Sequence, residues 1–130
     1  AADAAAGRQA RPGRIVSIIG DDPDQLRVVE ETIAEEDAAL ARMSMDTDFK
    51  QAFGQESPDC VFLFINRVND QGLAKAIKVR AAMGKTCPLI VAGPQWTKSL
   101  VLKARKYGAS DILVTPADKD VIRQKYRKYF

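Results

Sequence analysis

The chain has 130 residues, 46% apolar and 28% charged, a balance that supports one globular domain and argues against disorder. It has no histidine and only two cysteines, Cys60 and Cys87, with no Cys-x-x-Cys pair, which excludes zinc sites and histidine-based triads or proton shuttles. The net charge of +3 hides an asymmetry: residues 1–70 hold 7 Lys/Arg against 14 Asp/Glu, and residues 71–130 hold 13 against 3.

Ala1 to Pro12 reads as a flexible leader without the apolar stretch of a secretory signal, and residues 13–130 read as the folded domain. Arg14–Gly20 is a continuous β-branched run, as a strand covered on both faces requires. Asp21-Asp22-Pro23-Asp24 supplies a cap and a first-turn proline for a helix that carries Leu26, Val29, Ile33 and Ala34 to about Asp37. A second strand is expected at Ala39–Met45, then a short helix over Thr47–Gln55 burying Phe49 and Phe53. Cys60–Ile65 is the strongest strand signal and should be central. After the polar loop Asn66–Gln71, the spacing of Leu73, Ile77 and Ala81 predicts a helix ending near Gly84. Pro88–Ala92 is another buried strand, and Thr97–Tyr107 a helix closed by Gly108. Asp111–Val114 is a fifth strand, and from Pro116 a last helix shows Val121, Ile122, Tyr126 and Tyr129 as its apolar side. Strand and helix thus alternate five times, which predicts an α/β fold: a doubly wound, flavodoxin-like parallel sheet in the order 2-1-3-4-5. Cys60 and Cys87 read as small core residues in a reducing, cytoplasmic setting.

In such a sheet the chemistry gathers beyond the carboxyl ends of the strands. The first of these loops has neither G-x-G-x-x-G nor G-x-x-x-x-G-K-[ST], so dinucleotide and nucleoside triphosphate cradles are excluded there. GDDPDQL after the first strand, PDCVFLFINRVNDQG, KTCPLIVAG and YGASDILVTPAD follow one another at the spacing of the receiver domain of two-component response regulators, which the chain resembles from about Arg14 to Tyr126. The resemblance implies a site in which an acid pair holds Mg²⁺ and an aspartate ending the third strand accepts a phosphoryl group. A Ser/Thr after the fourth strand and a Lys after the fifth then neutralise the phosphoryl oxygens.

Carried over position by position, it also implies a degenerate pocket. The acceptor's position falls on Phe64, the hydroxyl's on Gly93, the lysine's on Thr115, and the aromatic switch on Ile112. The acid pair falls on Gly20 and Asp21, with Asp22 following; capping of the next helix is the plainer role for these acids, and a weak residual Mg²⁺ site at Asp21 and Asp22 is the alternative. Asn66 and Asp70 lie in the loop beyond Phe64, and Asp70 is the candidate for a displaced acceptor. Each missing oxyanion donor is worth about 3–4 kcal/mol of barrier, so two such losses slow phosphotransfer by roughly four to six decades.

The expectation is therefore a pseudo-receiver without cofactor or catalytic residue, acting in signal transduction independently of phosphorylation. Its expected contact surface, for a protein partner or a homodimer, is the edge formed by the fourth helix, fifth strand and fifth helix. Trp96, Lys103, Lys106, Tyr107, Arg123 and Arg127 are its candidate contact residues, with acidic residues of the first helix expected toward the opposite side. A basic-edge nucleic-acid module is the rival, although no recognition helix or RNA-binding aromatic strand is present. No nucleophile elbow marks an enzyme, and no apolar run reaches the roughly 18–20 residues of a membrane span. The charged, aromatic ending IRQKYRKYF suggests an output domain further along a longer protein.

Overall fold

The computed structural model describes residues 14–36 and 38–130, so the expected leader and Asp37 lie outside the described residues. Five strands alternate with five helices: β1 (Ile15–Ile19), α1 (Pro23–Ala34), β2 (Ala39–Met43), α2 (Phe49–Gln55), β3 (Cys60–Phe64), α3 (Asp70–Met83), β4 (Leu89–Gly93), α4 (Lys98–Lys106), β5 (Asp111–Val114) and α5 (Lys119–Arg127). All pairings are parallel and the order is β2-β1-β3-β4-β5, as the alternation predicts.

The pleat divides β3 between two cores. Val61 and Leu63 point into the layer with Phe49, Phe53, Leu73, Ala76 and Val79 of α2 and α3. Cys60, Phe62 and Phe64 point into the layer with Leu26, Val29 and Ile33 of α1 and Ile122 and Tyr126 of α5. Every residue of β3 and β4 is buried, which is why both read as continuous apolar runs rather than alternating ones.

Side-chain caps fix where the helices begin. Asp22 accepts from the Asp24 amide ahead of α1, with Pro23 in the first turn. Asp48, Asn69, Thr97 and Asp118 cap the other four in the same way. The last helix consequently starts at Lys119 rather than at Pro116, because Asp118 must stay extended to accept from the Val121 amide.

Two apolar faces differ from the sequence expectation. α3 buries Leu73, Ala76 and Val79, leaving Ile77 48% exposed and Ala81 on the surface. In α5, Val121 is 38% exposed, and Ile122 and Tyr126 alone are fully buried. Both helices carry apolar residues on more positions than the core accepts, so periodicity left two registers open and packing chose between them.

At the amino ends of β4 and β5 a guanidinium ties the α3–β4 and α4–β5 loops together. Arg80 donates five hydrogen bonds, to the carbonyls of Gly84 (2.7 Å), Cys87 (2.7 Å) and Gly108 (2.7 and 2.9 Å) and to Ser110 Oγ (3.3 Å). Gly108 is fixed by this clamp as well as by its backbone. Its φ of 113° suits glycine, and an added Cβ would lie 2.7 Å from Arg80 Cγ. Burial pushes the thiols of Cys60 and Cys87 up, the second to about 11, so both stay protonated near neutral pH and serve as core and near-core side chains.

Candidate functional site

The carboxyl ends of β1, β3, β4 and β5 converge on the residues singled out from the sequence, but packing closes most of the space between them. At the end of β3 the Phe64 side chain is 4% exposed and belongs to the apolar layer shared with α1 and α5. Gly20 sits directly against it: a Cβ there would lie 3.1 Å from Phe64 Cβ and 3.0 Å from Leu26 Cδ2. At the end of β4, a Cβ on Gly93 would meet Val68 Cγ2 at 2.5 Å and Ile65 Cγ1 at 3.3 Å. Neither glycine position admits a side chain without moving its neighbours.

The acids of the first loop have backbone partners. Asp21 accepts from the amide of Met45 (3.2 Å), holding the loop after β2, while Asp22 caps α1. Among the described residues no group of three or more His, Cys, Asp or Glu side chains comes together as a metal site would need. Asn66 is exposed and lines a separate polar depression with Asn69 and Lys75. Asp70 opens α3 with its side chain 80% exposed and is ion-paired with Lys103 of α4, whose ammonium pKa this hydrogen bond raises.

Phe64 and Thr115 do come together. Both line a cavity of about 250 Å³ bounded by α1, the end of β5 and the start of α5, with Val28, Val29, Leu113 and Ile122. Asp21, Asp22, Asn66 and Gly93 do not line it. The sequence reading missed this cavity; its only trace was that Val28, beside the Leu26–Val29–Ile33 stripe, adds an apolar position that the core does not fully bury.

The candidate contact edge is rearranged by ion pairs. The acidic end of α1 does not lie opposite the basic face of α5; the two helices pack together. Glu35 accepts from Lys119 (2.9 Å) and Arg123 (2.9 Å), and Glu36 takes both arms of Arg127 (2.7 and 3.0 Å). The Lys119 hydrogen bond lowers the Glu35 pKa, and that from Arg127 lowers the Glu36 pKa. Like charges within each helix find their opposites across the helix pair, which relieves the repulsion that the −7 and +10 halves would otherwise suffer. Lys103, Arg123 and Arg127 therefore have intramolecular partners, whereas Lys106 is exposed. Trp96 and Tyr107 are half-buried against the α3–α4 core, with Trp96 Nε1 donating to the Gly93 carbonyl (3.1 Å). Leu102 (60% exposed), Val114 (57%) and Val121 (38%) are exposed apolar residues, one each from α4, β5 and α5.

The sequence model of the response regulator receiver domain matches residues 16–127, from the second residue of β1 to the last of α5. The chain belongs to this family. No curated relative matches it in sequence. Among solved structures, the receiver domain of NtrX from Brucella abortus superposes with a TM-score of 0.73 at 18% identity, covering 88% of this chain and 96% of that one. The longer NtrX structure gives 0.75 at 18% identity over 89% of this chain, which spans only 26% of NtrX. A two-component response regulator from Clostridium difficile gives 0.69 at 20% identity, covering 89% of this chain and 94% of that one. The protein is thus a receiver domain of the two-component signalling class, and the described residues contain no helix long and apolar enough to cross a membrane.

Proposed function

We propose that this receiver transmits signals without accepting a phosphoryl group, as a non-enzymatic module acting through protein contacts. The observation that carries this reading is the buried ring of Phe64 at the end of β3, the position to which the family resemblance assigns the acceptor aspartate. A benzyl group has no lone pair to attack phosphorus and no charge to balance a divalent ion. The neighbouring positions support the same reading. Gly93 and Gly20 lack the space for a hydroxyl or carboxylate, and Thr115 stands where an ammonium would be needed. Asp70 is a poor substitute, being exposed and paired to Lys103 outside the cavity that Phe64 lines.

Contact with a partner or a second copy would run through the α4–β5–α5 edge, where Leu102, Val114 and Val121 offer apolar area beside Trp96, Lys106 and Tyr107. The pairing of Lys119, Arg123 and Arg127 with α1 weakens the nucleic-acid reading, since those cations already have carboxylate partners. A cytoplasmic setting and an output domain in the full-length protein complete the proposal.

The test is NMR and sedimentation of the domain with Mg²⁺, before and after beryllofluoride. Amides of residues 64–66, 93 and 115 should keep their positions, and the assembly state should be the same with and without the mimic. Saturable shifts at those amides would overturn phosphate independence. If the domain or its partner complex assembles, Leu102→Glu should weaken that assembly at least tenfold; an unchanged affinity would remove the edge from the proposal.

A further inference from the structure

We propose that the groove between α2 and α3, together with the exposed Ile77 one turn away, docks an acidic amphipathic helix of a partner protein. The inference goes beyond the phosphate-independent reading and does not need it, because it uses neither the Phe64 pocket nor the α4–β5–α5 edge.

The apolar part comes from a helix with more apolar positions than its core contact uses. α3 turns Leu73, Ala76 and Val79 into the core, which leaves Ala74, Ile77 and Ala81 exposed. Spacings of three and four put those three residues on one face. Ile77 keeps 48% of its surface in water, and Ala81 carries the same face into the groove. That groove measures about 210 Å³. Buried Phe49 is its floor, while exposed Ala81, half-buried Ala82 and the exposed Lys50 and Lys78 are the walls a partner can reach. An apolar cavity of about 150 Å³ takes up benzene, so this recess suits one anchor the size of a leucine or phenylalanine side chain.

The charged part selects the partner. Between them α2 and α3 hold Lys50, Lys75, Lys78 and Arg80 against a single acid, Asp70. Asp70 is ion-paired with Lys103, and Arg80 is engaged by carbonyls at the other end of α3. Lys50, Lys75 and Lys78, and Lys85 just past the helix, are exposed and have no carboxylate partner among the described residues. Lys78 Nζ stands 5.6 Å from the Phe49 ring centroid. The one acid in the lining, Asp48, caps α2. Unpaired cations around an apolar strip call for carboxylates flanking an apolar row, which is how an acidic helix seats in a groove. A nucleic-acid backbone would use the cations and gain nothing from Ile77 and Ala81. A lipid surface would use both, but it presents no side chain for the recess to hold.

Amide and methyl NMR titration of the domain with synthetic helical peptides about four turns long tests this. One peptide carries leucines along one face and glutamates elsewhere; the other keeps the leucines and has lysine for every glutamate. The acidic peptide should give saturable shifts in residues 49–53 and 74–85 and bind about tenfold more tightly than the basic one. Ile77→Glu, at an exposed position, should weaken the acidic peptide about tenfold. Lys75→Glu combined with Lys78→Glu should erase the preference for it, and Lys78→Arg should retain it. Raising NaCl from about 50 to about 300 mM should weaken binding several-fold, since exposed charges are screened. Absence of saturable shifts, shifts confined to α4, β5 and α5, or equal binding of the two peptides would overturn the proposal. So would tighter binding at this face by a DNA duplex of about 20 base pairs or by phosphatidylglycerol vesicles. None of these outcomes bears on the beryllofluoride experiment, so the two readings fail separately.

Discussion

Phe64→Asp costs the folded domain about 4 kcal/mol or more at neutral pH and does not create a phosphoryl acceptor. Emptying a buried phenylalanine position typically costs about 3–5 kcal/mol, and the carboxylate adds its own desolvation because no cation lines the cavity beside it. Against the roughly 5–15 kcal/mol that holds a domain together, that is a large share. Burial raises the folded-state pKa of the new carboxyl above the roughly 3.9 of the unfolded chain. Between those two values the folded state binds more protons than the unfolded one, so stability falls as pH rises from about 4, by up to about 1.4 kcal/mol per pH unit. Phe64→Asn, equally small but without a charge, should show the cavity cost and not the pH slope. Urea midpoints of the two variants across pH measure the difference. A loss under about 1 kcal/mol would mean that the ring is not a core element, and a labile aspartyl phosphate on Phe64→Asp would mean that the surrounding site is intact after all. The steric closure at Gly20 and Gly93 argues against the second outcome, since one carboxylate restores neither the metal ligand nor the hydroxyl.

What the sequence disclosed followed from interactions between near neighbours. β3 and β4 were legible because both faces are covered and nearly every side chain is apolar. Asp22 and Pro23 marked the start of α1 because a cap acts within three residues. Phe49 and Phe53 were legible as one face of a short helix, and their rings stack at 6.0 Å. The misreadings concern partners far apart in the chain. The faces of α3 and α5 depended on which of two apolar registers the sheet would accept. The pairing of Glu35 and Glu36 with residues 84 to 91 positions away carries no local signal, so the acidic and basic segments read as opposed surfaces when they are each other's partners. At the candidate site, residue type alone showed what Phe64 and Gly93 cannot do. That Val68 occupies the space beside Gly93, and that a cavity opens on the α1 side of Phe64, are consequences of tertiary packing.

The buried carboxylate at the start of β5 was likewise invisible as such, although it sits in one of the segments that carried the family resemblance. Asp111 has its side chain 4% exposed. Its Oδ1 accepts from the Ile112 amide (2.8 Å) and Lys125 Nζ (3.0 Å), and its Oδ2 lies 3.2 Å from Lys128 Nζ. The Tyr129 hydroxyl, which donates to the Ser110 carbonyl at 2.9 Å, stands 3.3 Å from the same Oδ2. Burial works to raise the Asp111 pKa, but the Ile112 amide and the two ammonium groups outweigh it and hold the carboxyl below its ordinary value. A depressed folded-state pKa contributes stability that is fully present above about pH 4 and is lost as pH falls through the folded-state value. Removing one partner of a buried ion pair costs about 3–5 kcal/mol; here both lysines can turn to solvent, so Asp111→Ala should lose about 2–4 kcal/mol at neutral pH. Its stability should also fall less steeply than the wild type's on acidification, because the group that must be protonated is gone. An independent readout comes from Tyr129, whose phenol pKa is raised by burial first and by the Asp111 charge second. Ultraviolet titration of the folded variant should find that phenol ionising at lower pH. An unchanged acid limb together with an unchanged phenol would show that the carboxylate is not coupled to α5. A shallower acid limb together with a lowered phenol would make Asp111 the electrostatic tie between β5 and the last helix, the two elements that share the proposed contact edge.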